Sequence, residues 1–377
     1  MLNVIILNFI IILLCIICFY LLYNNYTQID TFIGLSNDAL LRSNTCDPST
    51  ELKGILDARQ LSYNKTDDDY FIPCTYDSCE TDAKYFESSK STKKIFLIDG
   101  CDVLASKINL WNAIVDEFKE NATKYMPKTF IIDGNNNFIR EFTEHYKNRQ
   151  RPDQMYVLKN YQQRQEGIKI TRNFDEIINN ENNKWILVQD YIYNPYTIDN
   201  RKINFRYYLL IICQNGKVSG YYHKNGFVYY TAKYYDENIK DPIYQEKHIT
   251  TGYIDRVVYE TNPLTLEDFH KYLEKNNTPS KLWDDSINNL MVKLMQALSK
   301  KICTNLKLQN NLKFQLFGCD VAPAKDLSCT LMEINKGPDL GCKDDRDCSV
   351  KNKVQDDIFS ITESNNVEST DFIPIIY

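Results

Sequence analysis

The stretch that decides the fold reads Phe317-Gly318-Cys319-Asp320 and, after a short connection, Leu331-Met332-Glu333-Ile334-Asn335. Apolar residues alternate with other residues in both segments, and the connection carries proline and aspartate, so the pattern predicts two strands. Residues i and i+2 of a strand point to the same side, so Glu333 and Asn335 face one space, which Asp320 can reach across a hairpin. Two carboxylates and an amide oxygen form an all-oxygen site that suits Mg²⁺ held against nucleotide phosphates. The alternative is a hairpin whose polar residues face solvent.

The composition is that of an ordinary globular protein. The chain has 377 residues, of which 43% are hydrophobic and 25% charged, enough for one large or two medium domains. Lys and Arg number 44 against 50 Asp and Glu, which gives a formal net charge of −6. Nucleic-acid-binding domains usually carry a basic surplus, so the charge argues against a nucleic-acid partner. The oligomeric state cannot be read from the sequence.

The 12 cysteines do not form a metal motif. Cys15 and Cys18 lie in an apolar N-terminal segment, and no C-x-x-C pair occurs outside it, so a zinc site has weak support. We expect free thiols in a reducing compartment, because a nucleotide-using enzyme needs ATP. Disulfides stay open for Cys46, Cys74, Cys79 and Cys101. Glycosylation triplets begin at Asn25, Asn64, Asn121 and Asn276, but an asparagine-rich chain also makes such triplets by chance.

The N-terminal segment, residues 2–23, is almost wholly apolar and close to the ~20 residues that cross a bilayer as a helix. No Lys or Arg precedes it, and Tyr20, Tyr23 and Tyr26 lie at its exit, where aromatic residues suit the headgroup region. We therefore expect an uncleaved single-span membrane anchor over residues 1–25. A signal peptide is the alternative, although the usual basic start is missing. ATP chemistry would put the rest of the chain on the cytosolic side.

The strand, helix and turn patterns of the remaining sequence indicate how it divides into domains. Strand and helix patterns begin after residue 94, and Asn215-Gly216 and Asn225-Gly226 are typical of hairpin turns. Strands and helices mixed in this way predict an α+β fold with much antiparallel sheet. The expected parts are a stalk or lead-in over 26–94, an N-terminal α/β subdomain over 95–152, a catalytic domain over 153–360 and a mobile tail over 361–377.

Several features follow one another in a distinctive order. They are Lys159 before a polar loop at 161–167, the strand end Gln189-Asp190-Tyr191-Ile192, the strand start at 201–206, and the Asp320, Glu333 and Asn335 trio. Shorter matches are Gly226-Phe227-Val228, His248-Ile249-Thr250 and Phe314-Gln315-Leu316-Phe317-Gly318. Together they resemble the tubulin–tyrosine ligase-like family, most clearly over residues 155–251 and 312–340.

The resemblance implies an ATP-grasp fold with largely antiparallel sheets flanked by helices. It implies a ligase that uses ATP to join an amino acid to a protein carboxylate through an acyl-phosphate, with Mg²⁺ as the second cofactor. The implied partners are a free amino acid (Tyr, Glu or Gly) and a protein acceptor, either tubulin or another protein. The expected anchor makes a membrane-associated acceptor an equal candidate.

The same resemblance implies roles for individual residues. Arg206 would stabilise charge on the transferring phosphoryl group or the acyl-phosphate, and Lys202 would face the same cleft. Asp320, Glu333 and Asn335 would hold one or two Mg²⁺ ions. Nucleotide contacts are implied for Lys159, Arg164, Lys169, Gln189, Asp190, Tyr191, Ile192 and Thr250.

The chain departs from the family pattern around this cleft. Asp190 stands where the family has Lys, and Asn204 stands where it has an acidic residue. On the substrate side, Tyr229 replaces an Arg and Thr251 replaces an Asn. These departures keep a second hypothesis open: a pseudoenzyme that retains the fold as a nucleotide-binding or protein-binding scaffold at a membrane.

Overall fold

The computed structural model describes residues 48–64, 69–72, 94–161, 167–180, 184–238, 240, 244–364 and 366–377. The apolar segment 2–23, Arg164 and most of the expected stalk lie outside these residues. The membrane anchor and the cytosolic location therefore stay predictions. Within the described residues, no helix is both long enough and apolar enough to cross a bilayer.

Most strands of the described residues are short, and the two longest, Arg201–Gln214 and Lys313–Pro323, lie near the site. In chain order they are β1 (Tyr70–Phe71), β2 (Lys94–Ile95), β3 (Thr129–Ile131), β4 (Tyr156–Lys159), β5 (Ile168–Thr171), β6 (Leu187–Asp190), β7 (Thr197–Ile198), β8 (Arg201–Gln214), β9 (Lys217–His223), β10 (Phe227–Thr231), β11 (Thr250–Thr251), β12 (Lys313–Pro323), β13 (Cys329–Asn335) and β14 (Phe372–Ile375).

Helices flank these strands. The α-helices are α1 (Thr50–Ala58), α2 (Cys101–Ala105), α3 (Lys107–Phe118), α4 (Phe138–Lys147), α5 (Phe174–Asn179), α6 (Tyr244–His248), α7 (Val258–Thr261), α8 (Leu266–Lys275), α9 (Ser280–Leu298) and α10 (Asp345–Ser364). Two short 3-10 helices cover Lys119–Lys124 and Leu306–Leu308.

The larger sheet is built around β8, a strand of 14 residues. The spatial order is β1-β2-β12-β8-β10-β11, with β13 beside β12, β9 beside the second half of β8, and β14 beside β9. The pairs β1–β2 and β2–β12 are parallel, whereas β8 pairs antiparallel with each of its neighbours. The expected α+β class with largely antiparallel sheets is therefore confirmed.

A smaller sheet of order β3-β6-β4-β5 is antiparallel throughout. Its core is rich in aromatic residues: Phe142 of α4 and Tyr156 of β4 are both fully buried, with their rings edge to face and 5.1 Å between centroids. Such aromatic pairs add about 0.5–1.5 kcal/mol beyond the burial of their area. The opposite face of this sheet, with Val157, Ile168 and Ile170, turns towards β8 and β13 across a cleft.

Helix α9 supports the back of β8. Buried apolar side chains recur along it at helical spacing: Trp283, Ile287, Leu290, Met291, Leu294, Met295 and Leu298. Trp283 packs on Phe205 of β8, with 5.0 Å between the ring centroids. Burial of each such side chain contributes roughly 1.5–3 kcal/mol. Asn204 and Arg206 lie on either side of Phe205 in β8. Because side chains alternate along a strand, they point to the face of the sheet opposite Phe205.

The described part of the expected stalk belongs to the core. Helix α1 is tied to α10, since Arg59 donates hydrogen bonds to Asp356 (2.7 Å) and Glu363 (2.6 Å). Leu56 of α1 and Tyr70 of β1 are fully buried, and β1 extends the edge of the larger sheet. The stalk prediction is therefore wrong for residues 48–64 and 69–72, because their few apolar side chains pack against distant parts of the chain.

Two domain boundaries also differ from the expectation. Strand β14 pairs with β9 and buries Phe372 and Ile375, so the expected mobile tail is wrong for residues 366–377. Strand β3 pairs with β6, so residues 129–147 belong with the smaller sheet. The boundary at residue 152 is thus misplaced, because strand pairing crosses it.

The structure contains two disulfides in its described part, Cys213–Cys303 and Cys342–Cys348. The expectation of free thiols is wrong for these four cysteines. Neither pair was among the cysteines that the sequence left open. The partners of the first pair lie 90 residues apart, and their proximity becomes visible only in the folded chain, whereas the partners of the second pair are six residues apart in the sequence.

Candidate active site

Three neighbouring strands place a row of charged side chains on one face of the larger sheet. Asp320 of β12 lies opposite Arg206 of β8 on one side and opposite Glu333 of β13 on the other. Directly opposed residues on antiparallel strands lie about 5 Å apart, so their side chains are neighbours. The register shifts at a bulge just after Asp320, a feature that often reorients side chains near active sites. The structure thus brings together Asp320, Glu333 and Asn335, as the alternation pattern predicted.

Arg206 and Asp320 form a bidentate ion pair within this row. The distances are 2.5 Å from Nε to Oδ1 and 3.0 Å from Nη2 to Oδ2, and the two side chains are only 13% and 17% exposed. The Asn335 amide nitrogen lies 3.5 Å from a carboxylate oxygen of both Asp320 and Glu333. Rotation of this amide by half a turn would present its oxygen instead. Two carboxylates and one amide oxygen are donors that fit a hard divalent cation.

The two carboxylates differ in their electrostatic surroundings. Burial raises the pKa of Asp320, although Arg206 opposes this rise. Burial is the largest single influence and would by itself raise the pKa of Glu333, but the charges of Lys159, Lys107 and Arg206 and the hydrogen bond from Asn335 together outweigh it, so the pKa is lowered. Two buried carboxylates side by side repel each other, and a divalent cation between them would relieve that repulsion.

Two buried lysines face this row. Lys159 and Lys202 are 3% and 4% exposed, and neither forms a salt bridge with a carboxylate in the part of the chain that the structure describes. Burial and the charge of Lys159 lower the pKa of Lys202 to about 8. Burial likewise lowers the pKa of Lys159. Burying an ammonium group without a paired anion is unfavourable, so two of them together indicate a binding site for an anion.

The lysines and the carboxylates line the cleft between the two sheets. One wall carries the apolar side chains of β4 and β5, and Met332 lies on the other side, which leaves a slot suited to a flat ring. The remaining lining includes Gln189, Asp190, Tyr191, Ile192, Asn204 and Thr250. The Asn204 side-chain oxygen is buried and has no hydrogen-bond partner among the described residues. A buried acceptor without a hydrogen-bond partner in a cleft is a second indication of a binding site.

Two residues at the expected adenine end are fixed by hydrogen bonds. Gln189 donates from Nε2 to the Thr129 hydroxyl at 2.8 Å, which sets the orientation of its amide. The Tyr191 hydroxyl lies 2.8 Å from Nδ1 of His248. Burial lowers the pKa of His248 to about 4, so this histidine is neutral near pH 7. The side chains at this end of the cleft are therefore held in place before any ligand binds.

A second cavity of about 230 Å³ opens beside Lys159 and Glu333. Lys107, the first residue of α3, lines it, and its charge acts on both Lys159 and Glu333. The sequence analysis missed Lys107. The available signal was Ser106, whose side chain caps α3 and so fixes where the helix begins.

Some predicted residues are not brought into the cleft. The Lys169 ammonium pairs with Glu176 on the outer face of the smaller sheet, because Ile168 and Ile170 occupy the inner face. The expected phosphate contact of Lys169 is corrected accordingly. The Asp190 carboxylate borders the cleft but lies 2.8 Å from Nε2 of His145. Arg164 lies outside the described residues.

Two of the departures from the family pattern, Asn204 and Tyr229, lie close to Arg206. Asn204 and Tyr229 lie opposite each other on β8 and β10, and the Arg206 guanidinium lies 5.4 Å from the centre of the Tyr229 ring. Gly252 makes room for this ring, since a Cβ atom there would lie 3.0 Å from it. Thr251 pairs with the strand residue next to Tyr229. An aromatic ring therefore stands beside Arg206, where the family pattern has a second guanidinium.

Comparisons with known proteins give several curated relatives that are named as tubulin glycylases or polyglutamylases. Tubulin glycylase 3B of Drosophila melanogaster is 28% identical over 201 residues, which cover 49% of this chain and 26% of that protein. Probable tubulin polyglutamylase TTLL9 of Rattus norvegicus is 25% identical over 185 residues, 47% of this chain and 38% of that protein. Tubulin polyglutamylase TTLL5 of Homo sapiens is 24% identical over 252 residues, 63% of this chain and 19% of that protein. The chain thus spans well under half the length of these curated relatives.

The family comparison covers more of the chain. The model of the Tubulin-tyrosine ligase family matches residues 79–370, which include the smaller sheet, the larger sheet except for β1 and β14, and the cleft between the sheets. The matched segment contains the lysines, Arg206 and the three oxygen-bearing side chains in the order already described. The chain belongs to the tubulin-tyrosine ligase family.

Proposed function

We propose that this protein is an ATP-dependent ligase that joins an amino acid to a carboxylate of a protein. One observation carries the proposal: two buried lysines, neither of which forms a salt bridge within the described residues, face a row of buried carboxylates across a narrow cleft. A nucleotide triphosphate with Mg²⁺ satisfies both halves of this arrangement, because phosphate oxygens neutralise the lysines and the cation neutralises the carboxylates.

The nucleotide would lie along the cleft. The apolar slot between the inner face of the smaller sheet and Met332 suits adenine, with Gln189 and the backbone at Tyr191 and Ile192 at its edge. Lys159 and Lys202 would contact the phosphates. Asp320, Glu333 and Asn335 would hold Mg²⁺, which would supply charge neutralisation for the β- and γ-phosphates.

The reaction needs a leaving group on the carboxylate. A carboxylate oxygen of the acceptor attacks the γ-phosphorus, the bond to the β-phosphate oxygen breaks, and an acyl-phosphate and ADP form. The amine of the incoming amino acid then attacks the acyl carbon, loses a proton and displaces phosphate. Arg206 lies at the end of the row and would stabilise negative charge on the transferring group, while the walls of the cleft exclude water.

The substrates are inferred from the relatives. Their names describe tubulin glycylases and polyglutamylases, which supports a free amino acid as one substrate and tubulin or another protein as acceptor. Tyr229 bears on the choice of amino acid, because its ring takes the place beside Arg206 where the family pattern has a second positive charge. We therefore propose that the amino-acid side of the site differs from that of the relatives.

A second candidate is a scaffold that binds nucleotide without turnover. Two observations favour it: the Tyr229 ring lies beside Arg206, and the Asp190 carboxylate is hydrogen-bonded to His145. The intact carboxylate row at Asp320 and Glu333 favours the enzyme. The two functions differ in whether bound ATP is converted to ADP.

The variant Glu333→Gln tests the proposal. It keeps the shape of the side chain but removes the charge that would hold Mg²⁺, so Mg²⁺-dependent ADP release should fall sharply without unfolding. Glu274→Gln, on the exposed surface of α8, is the matched control and should behave like the parent. Unchanged turnover in Glu333→Gln would reject the metal assignment.

The same assay separates ligase from scaffold. A ligase should release ADP only when acceptor protein and amino acid are both present, and mass spectrometry of the acceptor should show the added residue. Binding of Mg·ATP without ADP release, across tubulin and a panel of other acceptors with a mixture of amino acids, would favour the scaffold.

A further inference from the structure

Two disulfides in the described part of the chain lie away from the nucleotide cleft. Cys213 at the end of β8 is bonded to Cys303, and their Cα atoms are 6.3 Å apart, a usual distance for bridged cysteines. Cys342 is bonded to Cys348 near the start of α10. Structural disulfides persist in oxidising compartments and are rare in the cytosol. The two bridges therefore carry information about where the chain folds.

The Cys213–Cys303 pair is held by the core on both sides. Cys213 is 2% exposed and lies opposite Lys313 of β12. Lys313 is itself buried and forms an ion pair with Asp99. The backbone carbonyl of Asp99 accepts a hydrogen bond from the Cys303 amide at 2.9 Å. Strand register and a buried ion pair thus position the two sulfur atoms, so their pairing is part of the fold.

Two asparagines of glycosylation triplets lie at exposed turns. Asn121 is exposed in the 3-10 helix after α3, and Thr123 completes its triplet. Asn276 is the exposed C-terminal cap of α8, and Thr278 completes its triplet. An N-glycan is bulky and needs such a surface position. N-glycans are attached in the same secretory compartments in which disulfides form, so two independent features agree.

We propose that this domain matures in an oxidising secretory compartment, where the Cys213–Cys303 disulfide forms and Asn121 and Asn276 accept N-glycans. This proposal is the alternative to the expected cytosolic location with free thiols. Combined with the proposed ligase activity, on which this last step alone rests, it implies an acceptor protein that reaches the same compartment.

Both modifications use reactants of known class. The disulfide forms by exchange with a small disulfide such as oxidised glutathione: the two thiols lose two protons and two electrons, one S–S bond forms, and the reagent becomes two thiols. For the glycan, the asparagine amide nitrogen bonds to the anomeric carbon of an oligosaccharide and loses a proton. The pyrophosphate of a lipid-linked donor is the leaving group.

The test uses the full-length chain expressed in cultured animal cells. Cells are lysed in denaturant with N-ethylmaleimide and without reductant, and the digest is mapped by mass spectrometry. A peptide that joins Cys213 to Cys303 is expected. Cys319 and Cys329, which are thiols in the structure, should be alkylated and provide the internal control.

Glycan attachment is read by peptide-N-glycosidase treatment. The parent chain should shift in mobility, and the double variant Asn121→Gln/Asn276→Gln should shift less by the equivalent of two glycans, since the triplets at Asn25 and Asn64 remain. Asn277→Gln lies in the same turn and preserves the Asn276 triplet, so it should shift like the parent. Alkylated Cys213 and Cys303, or a parent chain without a glycosidase shift, would overturn the proposal. Neither readout measures catalysis, so missing ADP release in the same preparation counts against the ligase proposal alone.

Discussion

Replacing Lys202 by methionine should stabilise the ligand-free protein while removing its response to Mg·ATP. Lys202 is 4% exposed and contacts the Tyr191 ring, 4.8 Å from its centroid, without a carboxylate partner in the described part of the chain. Methionine keeps an unbranched side chain of similar volume and removes the charge. The native state then no longer holds an ammonium group in a site that disfavours it.

The expected change in the free energy of unfolding follows from the pKa of Lys202, which burial lowers from 10.5 to about 8. A lowered pKa means that the native state binds fewer protons than the unfolded state, so stability rises with pH between about 8 and 10.5. The destabilisation is fully present below pH 8 and amounts to about 3 kcal/mol at pH 7, falling below about 1 kcal/mol at pH 10. The contact with the Tyr191 ring offsets about 1 kcal/mol, so the expected gain at pH 7 is roughly 2 kcal/mol.

Urea unfolding at pH 7 and pH 10 measures this difference, with and without Mg·ATP. Lys281→Met is the matched control, because Lys281 is 82% exposed and its replacement should change stability by less than about 0.5 kcal/mol. Mg·ATP should stabilise the parent and the control but not Lys202→Met. A Lys202→Met protein that is less stable than the parent at pH 7, or whose advantage is the same at pH 10, would refute the reasoning.

Three further outcomes follow from the site. Asp320→Asn should lower the free energy of unfolding by about 3–5 kcal/mol in urea titrations, because it leaves the buried Arg206 guanidinium without its anion; an unchanged midpoint would contradict this. Burial lowers the pKa of His248 from 6.5 to about 4, so the parent should lose stability as pH falls from 6.5 towards 4; His248→Gln should show a flatter profile, and matching profiles would speak against it. Lys159→Met should abolish thermal stabilisation by Mg·ATP and Lys169→Met should not, because Lys159 faces the cleft and Lys169 does not. Equal losses in the two variants would disprove that distinction.

The geometry of the carboxylate row was predictable because it depends on local alternation. Glu333 and Asn335 are two residues apart on β13, and the hairpin partner Asp320 lies on the adjoining strand. The same rule could have excluded Lys169, because Ile168 and Ile170 mark the inner face of β5 on either side of it. The resemblance to a family outweighed that local signal.

The parts that were missed depend on contacts between residues far apart in sequence. No periodic pattern in the sequence indicates these contacts. Examples are the pairing of Phe372 with His223, the ion pair of Arg59 with Asp356, and the position of Cys303 next to strand β8. Such contacts bury only a few side chains on each segment. Local patterns therefore predicted the centre of the larger sheet better than its edges.

The continuity of β8 has a consequence for ligand size. Lys202 and Arg206 lie four residues apart on one unbroken strand, so at about 3.3 Å per residue their Cα atoms are held about 13 Å apart. Hydrogen bonds to β10 and β12 along this stretch prevent the spacing from adjusting to a shorter molecule. If the proposed nucleotide binds here, we expect a nucleoside monophosphate to contact only one of these two side chains and a triphosphate to contact both.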